Sequence, residues 1–254
     1  MSNRFLKQLI FGVFYLAIFG GTFYVVYLLS FQGVPSCFDN RRNQGEVEID
    51  CGGPCVPCEL KHLSPISFFG EPEILPIDKE SVAVFFRVKN PNAAYGAESL
   101  RYTLNFYDIA GIKLGETSGS TFVYPGRIRA LVEVPIKLSA ERVTRVDLKV
   151  SDLKWRSKAD FDTPSVQSRN IKVEFPQKDQ AKITGVVLNN NSFPLSSADI
   201  MITIGDKLGT KIGASRTILR DLLPFQERAF SVFLPLAGQF INPDATEVFV
   251  EALR

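Results

Sequence analysis

From Gln8 to Gly33 the sequence carries no charged side chain, and Leu9 to Leu29 (LIFGVFYLAIFGGTFYVVYLL) is apolar apart from Thr22 and its tyrosines. About twenty such residues, at roughly 1.5 Å of rise each, match the ~30 Å hydrocarbon layer of a bilayer. The stretch therefore predicts a transmembrane helix over residues 9–31 behind a short tail, residues 1–8. A cleaved signal peptide would show an apolar run of only about 7 to 15 residues and small residues at its end. Neither holds here, and Val34, Pro35 and Ser36 ahead of Cys37 match a lipid-attachment site only loosely. Arg4 and Lys7 lie against the helix on its N-terminal side, whereas Arg41 and Arg42 lie well past the other end. This placement predicts a cytoplasmic N-terminus and an extracytoplasmic bulk. Tyr24, Tyr27 and Phe31 suit an aromatic belt at the outer interface, and Ala17 with Gly21 has the spacing that admits a second helix.

All four cysteines, Cys37, Cys51, Cys55 and Cys58, fall in the segment that follows, residues 35–62. It is polar and rich in Gly and Pro, with no period long enough to build a core, so it needs staples to hold a shape. An even cysteine count on an oxidising face reads as two disulfides in one of three connectivities. Two other chemistries use the same residues. A zinc site would recruit Cys51, Cys55, Cys58 and His62, the one histidine, and would require a reducing compartment and the opposite orientation. A redox pair at Cys55 and Cys58 would want a helix N-terminus to lower a thiol pKa, and nothing around it reads as helical. The spacing of Cys37, Asp39, Asn43, Glu46, Asp50, Cys51, Gly52, Gly53, Cys55 and Cys58 resembles a short module of secreted and cell-surface proteins, C-x-D-G-x-x-N-x-x-E-x-x-x-D-C-G-G-x-C-x-x-C. Asn40 stands where that module has Gly, and Asn also tolerates left-handed backbone angles. Asp39, Asn43, Glu46 and Asp50 offer the hard oxygens that calcium prefers, and they are equally good turn formers.

Beyond Leu63 the pattern changes to short alternating runs. Val82, Val84, Phe86 and Val88 alternate with Ala83, Phe85, Arg87 and Lys89, and Leu100, Tyr102, Leu104 and Phe106 with Arg101, Thr103, Asn105 and Tyr107. This period of two predicts half-buried strands; Leu131 to Ile136 and Val146 to Val150 read likewise. The pattern also repeats. Asn90-Pro-Asn92 recurs as Asn189-Asn-Asn191, Asp108 with Gly111 as Asp206 with Gly209, and Tyr124-Pro125 as Leu223-Pro224, at an offset of about 99 residues. Such an offset predicts a duplicated domain of sandwich size, residues 63–155 and 169–254, joined by a linker at 156–168, with Trp155 covering the end of the first core. The strand, Asn-rich turn and NFYDIAGIKLG segment (Asn105 to Gly115) resemble the FxLYD group of surface domains and their relatives in the LEA14 and water-stress (WHy) group. The resemblance implies immunoglobulin-like antiparallel sandwiches and brings no active site with it.

Hydrophobic residues make up 45 % and charged residues 22 %, so the bulk should fold. A formal charge of +2 with no basic run argues against nucleic-acid binding. No nucleophile elbow, metalloprotease helix, phosphate loop or dinucleotide fingerprint is present, and a single histidine outside the β domains leaves none to serve a nucleophile there. No cofactor is expected beyond the calcium option. The expected whole is a mainly β chain, a transmembrane helix followed by two immunoglobulin-like sandwiches, acting as a non-catalytic binding or structural module of the cell envelope. Its expected contacts are the membrane through Leu9–Leu29 and a protein or envelope polymer, the latter through Arg127 and Arg129 facing outward on a strand. Stress protection of the LEA14–WHy kind and a cytoplasmic zinc-binding protein are the alternatives.

Overall fold

The computed structural model describes residues 3–31, 36–177, 180–236 and 241–254. The chain divides into two compact units, Met1–Leu63 and Ser64–Arg254. In the first, helix α1 runs over Asn3–Phe31 and is apolar on every side, with its described side chains exposed. A helix apolar all round and uncovered by protein has its favourable surroundings in lipid. Arg4–Tyr27 is long and apolar enough to cross a membrane, and the Thr22 hydroxyl donates to Ile18 O at 2.8 Å, which satisfies it within the helix. The helix starts inside the expected tail, because extending a formed helix by a few residues is easy once it is nucleated. The side chain of Phe31 and residues 34–35 lie outside the described residues.

The second unit is all antiparallel sheet. Its first half comprises β1 (Ser67–Phe68), β2 (Glu73–Pro76), β3 (Val82–Lys89), β4 (Tyr95–Tyr107), β5 (Lys113–Val123), β6 (Ile128–Ile136) and β7 (Arg145–Ser157). Its second half comprises β8 (Val166–Gln177), β9 (Gln180–Asn189), β10 (Leu195–Gly205), β11 (Lys211–Leu222), β12 (Glu227–Pro235) and β13 (Asn242–Leu253). In the first half β3 pairs with β6 along one edge and with β1 and β2 along the other, facing a sheet ordered β5-β4-β7. In the second, β12-β9-β8 faces β11-β10-β13. The two halves thus share one topology, with β8 in the place of β1 and β2.

Strand β9 shows the driving pattern plainly. Ala181, Ile183 and Val187 are buried, while Lys182, Thr184, Val186 and Leu188 between them are half-exposed. Phe86 packs edge-on against Tyr102 (centroids 5.4 Å) in the first core, and Ile183, Ile200, Ile202 and Leu234 fill the second. Fully burying a side chain of this size contributes about 1.5–3 kcal/mol.

The repeated asparagines hold equivalent places. Asn90 is buried and its Nδ2 donates to Tyr95 O and Tyr124 O; Asn189 is buried and donates to Phe193 O, Leu222 O and Leu223 O. Asn90 Oδ1 accepts from Asn92 N as Asn189 Oδ1 accepts from Asn191 N, both at 3.0 Å. The second asparagine of each pair then grips a serine backbone through both N–H and C=O: Ser64 by Asn92, Ser165 by Asn191. The hairpin tips repeat as closely. Asp108 Oδ1 accepts from Ala110 N and Ile112 N, and Asp206 Oδ1 from Leu208 N and Thr210 N, with Gly111 and Gly209 at positive φ.

Two features depart from the alternating pattern. Ala83 and Phe85, expected to face outward, are buried, because Phe85 stacks on Phe249 of the second half (centroids 5.7 Å) and Met201 and Ala214 join the same cluster. The expected linker is partly strand: β7 continues through Trp155 to Ser157, pairing with β4, and β8 begins at Val166. The alternation of Lys154, Trp155 and Arg156 carries the period onward, and Trp155 packs against the first core from within the strand.

Candidate functional site

The cysteines pair as Cys37–Cys55 and Cys51–Cys58, so that the two closed loops overlap along the chain. Four residues at positive φ allow the tight path between them. Asn40 and Asp50 adopt left-handed φ of 55° and 54°, and Gly52 and Gly53 have φ of 79° and 59°. A Cβ on Gly52 would stand 2.5 Å from Val47 Cγ2, and one on Gly53 would run into the Gly45 carbonyl. Only glycine meets both demands.

The four oxygen-bearing residues close the loops. Asp50 Oδ1 accepts from Asp39 N (3.0 Å) and Asn40 N (3.1 Å), and Glu46 Oε2 accepts from Asn43 N (3.2 Å) and Asp50 N (3.1 Å). Asp39 accepts from Arg41 N at 2.9 Å and from Asn43 Nδ2 at 2.7 Å. The Asn43 amide, with the backbone N–H groups, holds the Asp39 carboxyl below its usual range. These carboxylates thus brace the loops through N–H donors of the module itself. Among the described residues, the sets of three or more His, Cys, Asp or Glu ligand atoms within 4.8 Å of one another are Cys37, Glu46, Cys55 and Glu48, Cys51, Cys58. Both rest on disulfide sulfurs, and neither includes Asp39 or Asp50, while Asn43 Oδ1 is buried with no hydrogen-bond partner.

The zinc set is likewise divided. Cys51 and Cys58 share one bridge, Cys55 belongs to the other, and His62 Nε2 lies 3.2 Å from Glu48 Oε2. Sulfurs bonded to one another offer no thiolate to a metal. Cys55 and Cys58 are not partners, and the one helical turn beside them, α2 (Cys58–Lys61), has no side-chain cap.

A second constellation, which sequence reasoning missed, lies in the seam between the two sandwiches. Arg129 is fully buried rather than outward-facing, which removes it from the expected polymer-binding strand. Its Nη1 donates to Glu251 Oε2 at 2.8 Å, its Nη2 to Asp199 Oδ2, and its guanidinium lies 3.7 Å from the centre of the Phe122 ring. Both carboxylates belong to the second sandwich. Withdrawal from water raises the Glu251 pKa in spite of Arg129. Nearby, the buried Glu133 carboxylate accepts from the Tyr102 hydroxyl and from Arg216 Nη1 (3.2 Å), so a first-sandwich acid meets a second-sandwich cation. Burial, reinforced by Glu133, holds the Tyr102 phenol above its usual range and keeps it a proton donor. Tyr124 donates to Ala252 O at 2.6 Å, and Lys211 bridges Glu73 and Glu247.

A cavity of about 300 Å³ opens beside this seam, lined by Tyr124, Arg127, Pro164, Val250 and Glu251 among others. The acid at its wall is already committed to Arg129, and its lining contains no nucleophile paired with a base. The signal that would have revealed the seam is the unmatched charge of the repeat: Glu133 falls opposite Val232 at the 99-residue offset, and Phe85 opposite Thr184.

No protein-family model matches the sequence, and no curated protein matches it. Among solved structures the chain is similar to red sea bream transglutaminase, with 11 % identity over 76 % of this chain and 32 % of that one, at a TM-score of 0.24. It is also similar to a β-glucuronidase from glycoside hydrolase family 2, with 10 % identity over 70 % of this chain and 24 % of that one, at a TM-score of 0.26. The chain spans about a third or less of each enzyme, and likenesses this distant carry no inference about activity.

Proposed function

We propose that this chain is a membrane-anchored β-sandwich protein, displayed on the extracytoplasmic side as a non-catalytic binding or structural module of the cell envelope. The observation that carries the reading is the succession of an apolar helix, α1, and a segment whose four cysteines are all in disulfides. Disulfides persist in oxidising compartments, and Arg4 and Lys7 favour retention of the N-terminus on the other side. The resemblance to FxLYD and LEA14–WHy domains belongs to the same proposal, since the Asn-x-Asn turn and the Asp-x-x-Gly tip recur in both sandwiches.

The non-catalytic part is supported by how the polar groups are used. The repeated Asp and Asn side chains bond to backbone, and the buried charges of the seam are paired across it. Partner recognition by strand addition is discouraged at two edges, where β7 and β8 carry left-handed Asp152 and Asn170 at breaks in register.

Labelling of intact cells with a membrane-impermeant maleimide tests the reading. We expect no labelling before reduction and labelling of all four cysteines from outside after it. Thiols that react without reduction, and only once the membrane is broken, would reverse both orientation and compartment.

A further inference from the structure

The cysteine module buries two of its acidic side chains and leaves its larger apolar ones exposed. Glu46, Asp50 and Cys51 are buried, while Phe38 is 87 % exposed, Val47 61 %, Ile49 50 % and Val56 51 %. In water each exposed apolar side chain forgoes about 25 cal/mol for every Å² left wet. The two disulfides impose this arrangement whether or not water favours it. Phe38 cannot turn inward without breaking the loop, since Cys37 before it is tied to Cys55 and Asp39 after it donates its N–H to Asp50.

Position along the chain says what covers these groups. Phe38 follows Phe31, the last residue of α1, by seven residues, a separation the chain spans in at most ~25 Å. Arg41 and Arg42 follow, both exposed. An aromatic ring beside arginine suits the bilayer interface, where the ring lies at headgroup depth and the guanidinium meets lipid phosphate.

We propose that the module from Cys37 to Cys58 is an interfacial collar, with Phe38 seated in the headgroup layer of the bilayer that holds α1 and Arg41 beside lipid phosphate. The inference rests on the reading of α1 as a membrane anchor. The collar seats a rigid, cross-linked piece on the lipid surface and holds the chain there as it leaves the membrane.

Depth-sensitive fluorescence quenching on the full chain tests it. The chain, carrying Trp155→Phe, is reconstituted into phosphatidylcholine–phosphatidylglycerol vesicles containing lipids brominated both near the start and near the end of their acyl chains. Single tryptophans are introduced by Phe19→Trp in α1, Phe38→Trp in the module and Leu208→Trp at a hairpin tip. Quenching in the Phe19→Trp and Phe38→Trp variants is expected to exceed that in Leu208→Trp several-fold. If the Phe19→Trp variant is not quenched, the anchor reading fails and the collar with it. If it is quenched and the Phe38→Trp variant is quenched no more than Leu208→Trp, the collar alone is overturned. Should Trp155→Phe prevent folding, the same contrast is read as quenching in excess of the parent that keeps Trp155.

Discussion

Asn90 and Asn189 each close three stretches of backbone around one buried amide, and no other side chain of that length both donates and accepts there. Replacing Asn189 by Ala strands the Phe193, Leu222 and Leu223 carbonyls, and a buried unsatisfied group costs about 1–3 kcal/mol. We expect Asn189→Ala to destabilise the second sandwich by about 2–3 kcal/mol, read as a lower urea midpoint with an unchanged slope. Glu251 makes a prediction of opposite character. Its pKa is higher folded than unfolded, so the folded chain keeps a proton that the unfolded chain releases, and stability falls as pH rises from the ordinary value of 4.5 toward the raised one. Glu251→Gln should flatten that decline while leaving stability at acid pH nearly unchanged. A pH series of thermal midpoints for the two proteins checks the sign.

At the scale of single elements, glycines at positive φ separate into two kinds. Gly53 meets the Gly45 carbonyl, whereas Gly209 at the β10–β11 tip has open space around it. Gly209→Ala should therefore cost only its backbone conformation, about 1 kcal/mol. Gly53→Ala adds a collision inside a cross-linked loop and should scramble the pairing of Cys37, Cys51, Cys55 and Cys58, visible by peptide mapping under non-reducing conditions. Strand β3 shows the other lesson of this scale. Its alternation is legible in the residues, yet Phe85 looks outward and is buried, because a strand cannot announce that a second sheet will cover its outer face.

For the molecule as a whole, the decisive contact is the seam. Three ionic clusters cross it, centred on Arg129, Glu133 and Lys211, together with the stacking of Phe85 on Phe249. Removing one member of a buried ion cluster costs about 3–5 kcal/mol because the partners are left uncompensated, whereas replacing all by apolar groups is often neutral or stabilising. Arg129→Met alone should therefore loosen the two sandwiches, seen as faster proteolysis in residues 158–165. The triple variant Arg129→Met, Asp199→Leu, Glu251→Leu should restore resistance. Equal susceptibility of the single and triple variants would show that burial of Arg129, and not its charge balance, governs the seam.

The linear order of residues determined the apolar helix, the disulfide-dependent module, the strand period and the duplication, because each is a local rule: bilayer length, cysteine clustering, alternation and recurrence at a constant offset. The turn roles of Asn90, Asp108, Asn189 and Asp206 were legible for the same reason, whereas the bonds of Asn90 to Tyr124 and of Asn189 to Leu222 and Leu223, 33 to 34 residues on, were not. Tertiary structure alone decided the cysteine pairing and the inward turn of Arg129. Those outcomes depend on which groups reach one another once the chain has closed, 70 to 122 residues apart in the case of Arg129 with Asp199 and Glu251. A buried guanidinium and an exposed one have the same spelling; only the arrival of two carboxylates from the other sandwich makes burial of this one tolerable.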